Sequence, residues 1–125
     1  MSFYIKSEQT DDVVVVQCAG RMVRGEALRL LKGAVTILTQ PRIIELDLTE
    51  VKMLDAGGLG MLVFLHCWTR DNGIQLKLVN PSKLAREMLE RTRLTSIFNI
   101  SSVEDAPEIL RNVDSTIENV NRAVA

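Results

Sequence analysis

Hydrophobic and polar positions alternate along the first part of the chain in two segments that predict strands. These segments are residues 3–6 and 13–19, and a polar stretch at residues 8–12 separates them. So short a polar link between two strands favours an antiparallel hairpin. We expect the second strand, which begins with four valines, to end at Gly20.

The segment 43–68 combines a predicted strand, an acidic turn and a strongly apolar helix. Residues 43–48 are mostly apolar, which is typical of a strand covered on both faces, and residues 47–50 lead out of it. Asp55 follows at a turn, where its carboxylate is suited to accept hydrogen bonds from the free N–H groups of a helix start. We therefore expect the strand end and the helix start to meet at one edge of a sheet, where open α/β folds build their sites.

Periodic apolar positions predict the elements on either side of this segment. Apolar residues recur at helical spacing over residues 27–38, and we expect that helix to close near Pro41. Residues 74–78 alternate as a half-buried strand does. Asn80 is placed to cap a further helix with Pro81 at its first position, and a short last strand is expected within 97–100.

The last predicted element is a helix over about residues 106–125 with a single narrow apolar seam. The seam consists of Ala106, Leu110, Val113, Ile117, Val120 and Val124. It either packs on the domain or extends beyond it and pairs with a second copy, which would make a homodimer. The complete order, β-β-α-β-α-β-α-β-α, predicts one α/β domain over residues 1–125, with a mixed sheet of about five strands flanked by about four helices.

Composition and charge narrow the classes of function. The 15 Lys and Arg residues nearly balance the 16 Asp and Glu residues and form no run, so nucleic-acid binding driven by phosphate contacts is poorly supported. The longest apolar run is too short to cross a bilayer, and the first residues do not resemble a signal peptide. Cys18 and Cys67 lack disulfide-framework spacing and are interpreted as small core residues. We expect a cytoplasmic protein without a cofactor.

Several short motifs occur together in a recognisable order. They are Gly20-Arg21-Met22, Asp47-Leu48-Thr49-Glu50-Val51, Leu54-Asp55-Ala56-Gly57-Gly58-Leu59-Gly60 and Asn80-Pro81, with a segment at 94–98 after them. This order resembles the STAS family, the domains of anti-sigma factor antagonists and of sulphate transporter tails. The family turn reads Asp-Ser-Ser-Gly-Leu-Gly, and it is matched by Asp55, Gly58, Leu59 and Gly60.

The resemblance implies a bacterial, non-enzymatic interaction module that binds an anti-sigma factor and so frees a sigma factor for transcription. In such antagonists the partner is also a serine kinase, and phosphorylation of the second serine of the turn abolishes binding. Here Ala56 and Gly57 occupy the two serine positions. Because phosphorylation acts by adding charge at a hydroxyl, we expect no such switch at Gly57. The alternatives are a STAS scaffold subunit of a signalling or transport assembly and, less favoured, an enzyme or nucleotide-responsive domain at the Asp55 edge.

The partner-binding surface is predicted on the turn and the helix behind it. Its residues are Asp55, Ala56, Gly57, Gly58, Leu59, Met61, Phe64 and Trp68. A helical projection gives one apolar stripe of Leu59, Leu62, Val63 and His66 and a nearly opposite one of Met61, Phe64, Leu65 and Trp68. Only one stripe can face the sheet fully. The other is either a contact surface for a partner or is buried by neighbouring helices.

Other chemical interpretations of this region are weaker. The glycines either expose N–H groups to an anion or simply allow close packing, and neither phosphate-loop motif is present. Asp47, Glu50 and Asp55 are either cation ligands or solvated turn residues, and we assign no metal site. Thr49 is either a substitute phosphate acceptor or a turn-stabilising hydroxyl. His66 is the only histidine, so no metal cluster or triad can be built around a second one, and Cys67 next to it faces another side of the helix. We assign no catalytic residue.

Overall fold

The computed structural model describes residues 2–39 and 41–101, which form five strands and three helices. In chain order they are β1 (Phe3–Thr10), β2 (Val13–Met22), α1 (Glu26–Thr36), β3 (Ile43–Leu54), α2 (Ala56–Asp71), β4 (Gln75–Val79), α3 (Lys83–Arg91) and β5 (Asn99–Ser101). The predicted α/β class and five-stranded sheet are confirmed. The fourth predicted helix, with its apolar seam, lies outside the described residues.

The sheet is mixed, with its strands in the order β1-β2-β3-β4-β5. β1 and β2 are antiparallel, and the other neighbours are parallel. Each of the three helical crossovers advances by one strand in the same direction, so the right-handed rule places α1, α2 and α3 on one face. The alternate strand residues Val14, Val16, Ile44, Leu46, Leu76 and Leu78 are buried with apolar residues of all three helices in one core.

The opposite face of the sheet is covered less fully. Over residues 43–48 of β3, buried side chains alternate with half-buried ones, among them Glu45 and Asp47. The expectation that this strand is covered on both faces is therefore wrong. Within the described residues, the helix layer lies on one face only, as the alternation requires.

The predicted hairpin is confirmed, although both of its strands are longer than the alternation indicated. Only Asp11 and Asp12 separate the strands, and β2 continues through Gly20 to Met22. Gly20 has a φ of 104° and lies so close to the Ser2 carbonyl oxygen that a Cβ there would collide with it. The glycine thus allows a close approach of β1 to β2 and does not end the strand.

β3 continues six residues beyond the predicted apolar run and ends at Leu54. Its pairing with β2 shifts register twice, between Gln17 and Ala19 and between Gly20 and Arg21, and each shift adds one residue on β3. After Leu48, burial therefore recurs every third residue, with two exposed residues in each gap. A strand containing two bulges loses the alternation by which a sequence pattern reveals it.

The helix limits also differ from the predicted ones. α1 ends at Thr36, before the expected closure near Pro41. α3 begins at Lys83 and is capped by Ser82, whose Oγ accepts a hydrogen bond from the Ala85 amide at 3.1 Å. The assignment of Asn80 as the cap and Pro81 as the first helical residue is wrong. Asn80 has a φ of 47°, which is the left-handed region and not the extended backbone of an N-cap.

Candidate functional site

Asp55 connects the start of α2 to the loop between β2 and α1. Its backbone is extended, and its Oδ1 accepts a hydrogen bond from the Gly58 amide at 2.8 Å. Its Oδ2 accepts a second hydrogen bond from the Arg24 amide at 3.1 Å. The predicted capping role of Asp55 is confirmed, and the same carboxylate fixes a loop that lies far away in the sequence.

These hydrogen bonds favour the ionised form of Asp55. Partial removal from water opposes ionisation, but the amides of Gly58 and Arg24 outweigh this cost and hold the pKa of Asp55 below its usual value. Asp55 therefore carries a negative charge at neutral pH. That charge lies where the strand end, the loop and the helix start meet.

The two glycines after Ala56 differ in what surrounds them. A Cβ on Gly58 would collide with the carbonyl oxygen of Met22 and would lie 2.6 Å from Cδ1 of Leu54. A Cβ on Gly57 would lie 3.2 Å from Cβ of Arg24, a tight contact that a small movement could relieve. Gly58 therefore lets α2 begin directly against the end of β2. Gly57 faces the loop that carries Arg24.

The buried side of α2 takes residues from both predicted stripes. Its buried members are Gly58, Leu59, Leu62, Leu65 and Thr69. Leu62 and Leu65, which were assigned to opposite stripes, both have 0% exposure. Neither stripe therefore faces the sheet as a whole, and the expectation that one of the two does so is wrong. α2 packs against the sheet along the line between the stripes, and α1 contacts it from one side.

An outward ridge runs along α2 from its first residue. We define the α2 ridge as Ala56, Gly60 and Phe64, which follow one another at four-residue spacing and are all exposed. Phe64 is 38% exposed, and the Nζ of Lys32 from α1 lies 4.9 Å from the centroid of its ring. A cation at this distance is attracted to the face of the ring. The ridge thus presents two small residues and one aromatic ring beside a positive charge.

The predicted partner-binding residues are distributed over three environments. Ala56 and Phe64 are exposed; Asp55, Gly57, Met61 and Trp68 are half-buried; Gly58 and Leu59 are buried. Their role in binding a partner stays a prediction. The sequence interpretation missed Gly60, Arg24 and Lys32 as members of this surface. The four-residue spacing from Ala56 was visible in the sequence, but the approach of the two basic residues depends on the fold.

Thr49 and the acidic residues near it form a separate local arrangement. Oδ1 of Asp47 accepts hydrogen bonds from the Thr49 amide at 3.0 Å and from its hydroxyl at 2.6 Å. This geometry is that of a turn-stabilising hydroxyl at the first bulge of β3. Glu50 lies 3.6 Å from the ammonium of Lys52. Within residues 2–39 and 41–101, no three His, Cys, Asp or Glu side chains are grouped as metal ligands.

His66 contacts an aromatic ring, and the two cysteines differ in burial. The ring of His66 contacts that of Phe98 edge to face, with the centroids 5.5 Å apart. Cys18 is buried, and its burial, with the charge of Asp47, raises the pKa of its thiol to about 12. A thiol with so high a pKa is a poor nucleophile. Cys67 is only half-buried, so its interpretation as a core residue is wrong.

The fold and the Asp55 turn agree with a known family. The sequence model of the STAS domain matches residues 4–106. The chain belongs to the STAS family. The matched range includes the Asp55 turn, the α2 ridge and nearly all of the described sheet. No curated protein sequence matches the chain significantly.

Solved structures of anti-sigma factor antagonists resemble this chain over most of its length. A putative anti-sigma factor antagonist from Thermotoga maritima is 25% identical, with a TM-score of 0.70 over 77% of this chain and 84% of that one. The anti-sigma factor antagonist SpoIIAA in its unphosphorylated form is 16% identical, with a TM-score of 0.67 over 92% of this chain and 97% of that one. The phosphorylated form of the Bacillus cell fate determinant SpoIIAA is also 16% identical, with a TM-score of 0.63 over 94% and 99%.

The Asp55 turn, whose residues carry the sequence resemblance to the family, lies at the carboxyl end of β3. Within the part of the chain that the structure describes, no helix is long and apolar enough to cross a membrane. The Asp55 turn and the α2 ridge together form one surface of the described domain.

Proposed function

We propose that this STAS domain is a non-enzymatic regulator of transcription that binds an anti-sigma factor of the serine-kinase class in the bacterial cytoplasm. The main structural support for this proposal is the start of α2. There Asp55 fixes the turn by two hydrogen bonds, and the helix presents the exposed α2 ridge. The likeness to solved anti-sigma factor antagonists supports the same class of partner. Binding would release a sigma factor that the partner otherwise holds.

The binding we propose is constitutive with respect to phosphorylation of this turn. The family resemblance places the two serines of switchable antagonists at Ala56 and Gly57, and neither of these residues has a hydroxyl. Control would then come from the abundance of the chain or of its partner.

Thr49 is a poor substitute acceptor. Its hydroxyl donates to Asp47 at 2.6 Å, and a phosphoryl group there would replace that hydrogen bond with repulsion between two anions. We therefore assign Thr49 to the local structure of β3. The α2 ridge is then the region that a partner covers.

Gly60 offers a way to block the ridge without disturbing the fold. A Cβ on Gly60 would meet nothing within 4 Å, so Gly60→Arg adds bulk and charge only to the outer surface. Gly33→Arg is a matched control, because Gly33 also lies inside a helix with open space around its Cβ, but on α1. Both changes replace a helical glycine and so bring a similar gain in helix propensity.

The test is affinity capture from native lysate with the wild-type chain, Gly60→Arg and Gly33→Arg as baits, followed by mass spectrometry. We expect an anti-sigma factor kinase to be captured by the wild type and by Gly33→Arg, and to be lost from the Gly60→Arg bait. Capture of a membrane transporter instead would favour the scaffold alternative. Equal capture of the kinase by all three baits would show that the α2 ridge is not the binding surface.

A further inference from the structure

The outer edge of the sheet at β1 carries backbone groups that point away from the molecule. The Arg21 amide donates to the Ser2 carbonyl, and Thr10 pairs with Val13 across a two-residue turn. Because hydrogen-bonded pairs alternate along an antiparallel ladder, the even-numbered residues of β1 bond to β2. The odd-numbered residues therefore turn their N–H and C=O groups outward. In the described chain, no strand pairs with this side of β1.

The side chains of β1 are complementary to a second copy of the same strand. If two β1 strands pair antiparallel with Ser7 opposite Ser7, Lys6 of each copy lies opposite Glu8 of the other. Ser7 would then form a hydrogen-bonded pair, which places the Lys6 and Glu8 pairs at non-hydrogen-bonded positions. Side chains approach most closely at those positions, and opposite charges there stabilise a sheet. Both charged residues are exposed and project from the same face of the sheet.

An apolar side of α1 lies along the same edge. Ala27, Leu30, Ala34 and Ile37 follow one another at helical spacing, and Leu30 and Ile37 are 46% and 77% exposed. Lys32 projects from the opposite side of α1 toward Phe64 of α2, so this apolar side faces away from α2. Leu30 and Ala27 line one hollow together with Phe3 and Ser2 of the edge. The β1 edge thus continues into an exposed apolar helix side.

Pairing through β1 would bring the two α1 helices to a normal packing distance. α1 contacts both β1 and β2, so its axis lies about one strand spacing of 4.8 Å from a two-fold axis at the outer edge. Two symmetry-related α1 helices would then be roughly 10 Å apart, within the usual range for packed helices.

We propose that two copies of this chain associate through β1 in the register centred on Ser7, with the apolar sides of their α1 helices packed across the joint. The result is a two-fold dimer with one continuous ten-stranded sheet, since each copy contributes five strands. The dimer leaves the α2 ridge free, because that ridge lies on the far side of α1. None of the residues of this surface belongs to the C-terminal seam that the sequence indicated.

Charge exchange at the joint tests both the surface and the register. By sedimentation velocity over a wide concentration series, we expect the full chain to show a monomer–dimer equilibrium. Lys6→Glu and Glu8→Lys each create two like-charge pairs and should weaken association about tenfold or more. The double variant with both changes restores opposite charges and should return the dissociation constant to within about threefold of the wild type. Lys83→Glu, on α3, makes the same charge change elsewhere and should have no effect.

Several outcomes would overturn the proposal. One is a chain that stays monomeric at every concentration, and another is a dimer that neither single charge change weakens. A dimer that survives them but is lost in Ile117→Glu would place the interface on the C-terminal seam instead. Failure of the double variant to recover, while it remains folded by circular dichroism, would contradict the Ser7-centred register.

Amide hydrogen exchange gives a second, residue-level readout. In the dimer the outward amides of Ile5, Ser7 and Gln9 become hydrogen-bonded, whereas those of Lys6 and Glu8 already bond to β2. We expect exchange at the first three amides to slow as protein concentration rises, while exchange at the other two changes little. Exchange at Ser7 that is independent of concentration, in a sample shown to be dimeric, would exclude pairing through β1.

Discussion

The start of α2 and the outer edge at β1 are both exposed, but they are built on different principles. At α2, Asp55 bonds two amides, and Gly58 allows the helix to begin against the carbonyl of Met22. At β1, regular strand geometry leaves a row of N–H and C=O groups that point outward, and successive side chains alternate between the two faces of the sheet. The first surface depends on a few fixed contacts, and the second on a repeating pattern.

Because of this difference, we expect the two surfaces to respond differently to mutation. A change at Asp55 or Gly58 disturbs a contact that no neighbour can replace, so it should affect folding as well as binding. A single change on the outward side of β1 leaves the core untouched and should affect only association. Changes at the two sites therefore distinguish a surface held by close packing from one that is ready for pairing.

The largest expected effect is that of Gly58→Ala. The added methyl group would collide with the Met22 carbonyl, and overpacking of this kind should lower the free energy of unfolding by about 2 kcal/mol. Gly60→Ala, in the same helix but with open space around it, should raise the free energy of unfolding by about 0.5–1 kcal/mol. Urea denaturation measures both. If both variants have a higher free energy of unfolding than the wild type, helix propensity governs this turn, and the close approach to β2 does not.

The next effect is the loss of the Asp55 carboxylate. Asp55→Ala removes the hydrogen bonds to Gly58 and Arg24 and should cost about 1–2 kcal/mol in the free energy of unfolding. Ser82→Ala, which removes only the cap of α3, should cost about 0.5–1 kcal/mol. If the two variants are equally destabilised in urea, then the hydrogen bond to the loop contributes nothing.

A smaller effect is the pH dependence of the same carboxylate. The pKa of Asp55 in the folded chain is below its unfolded value, so its contribution to stability is complete above about pH 4. That contribution is lost as pH falls through the unfolded value toward the folded one. The wild type should therefore lose stability in acid relative to Asp55→Asn, which keeps a capping group that does not titrate. Parallel pH profiles of the two proteins would contradict this assignment.

The smallest effect on stability is expected at the β1 edge. Lys6 is exposed, and its side chain projects from the face of the sheet opposite the described helices. At a concentration where the chain is monomeric, Lys6→Glu should change the free energy of unfolding by less than about 0.5 kcal/mol. A larger loss would mean that the edge is part of the monomer's folding core, and the contrast with the α2 start would not hold.

The sequence was sufficient for the elements that follow simple local rules. The hairpin, the α/β order and the cap at Asp55 all rest on contacts between residues close in sequence. The far end of β3 was missed because two bulges replace its alternation with a period of three. The buried side of α2 was misplaced because α1 packs beside it, and the position of α1 depends on the sheet. Arg24 reaches Asp55 only through that packing.

We propose that the α2 start binds its partner without a phosphorylation switch. The direct test is to incubate the chain with the captured anti-sigma factor kinase and ATP, and then to measure intact mass and binding affinity. Gly57→Ser supplies a hydroxyl at the position where the family resemblance implies a phosphorylated serine and serves as the positive comparison, with Ala56→Ser as its neighbour control. We predict that the wild type gains no phosphoryl group and binds equally before and after ATP, whereas Gly57→Ser is modified and binds more weakly. A phosphorylated wild-type chain with reduced affinity would contradict the claim.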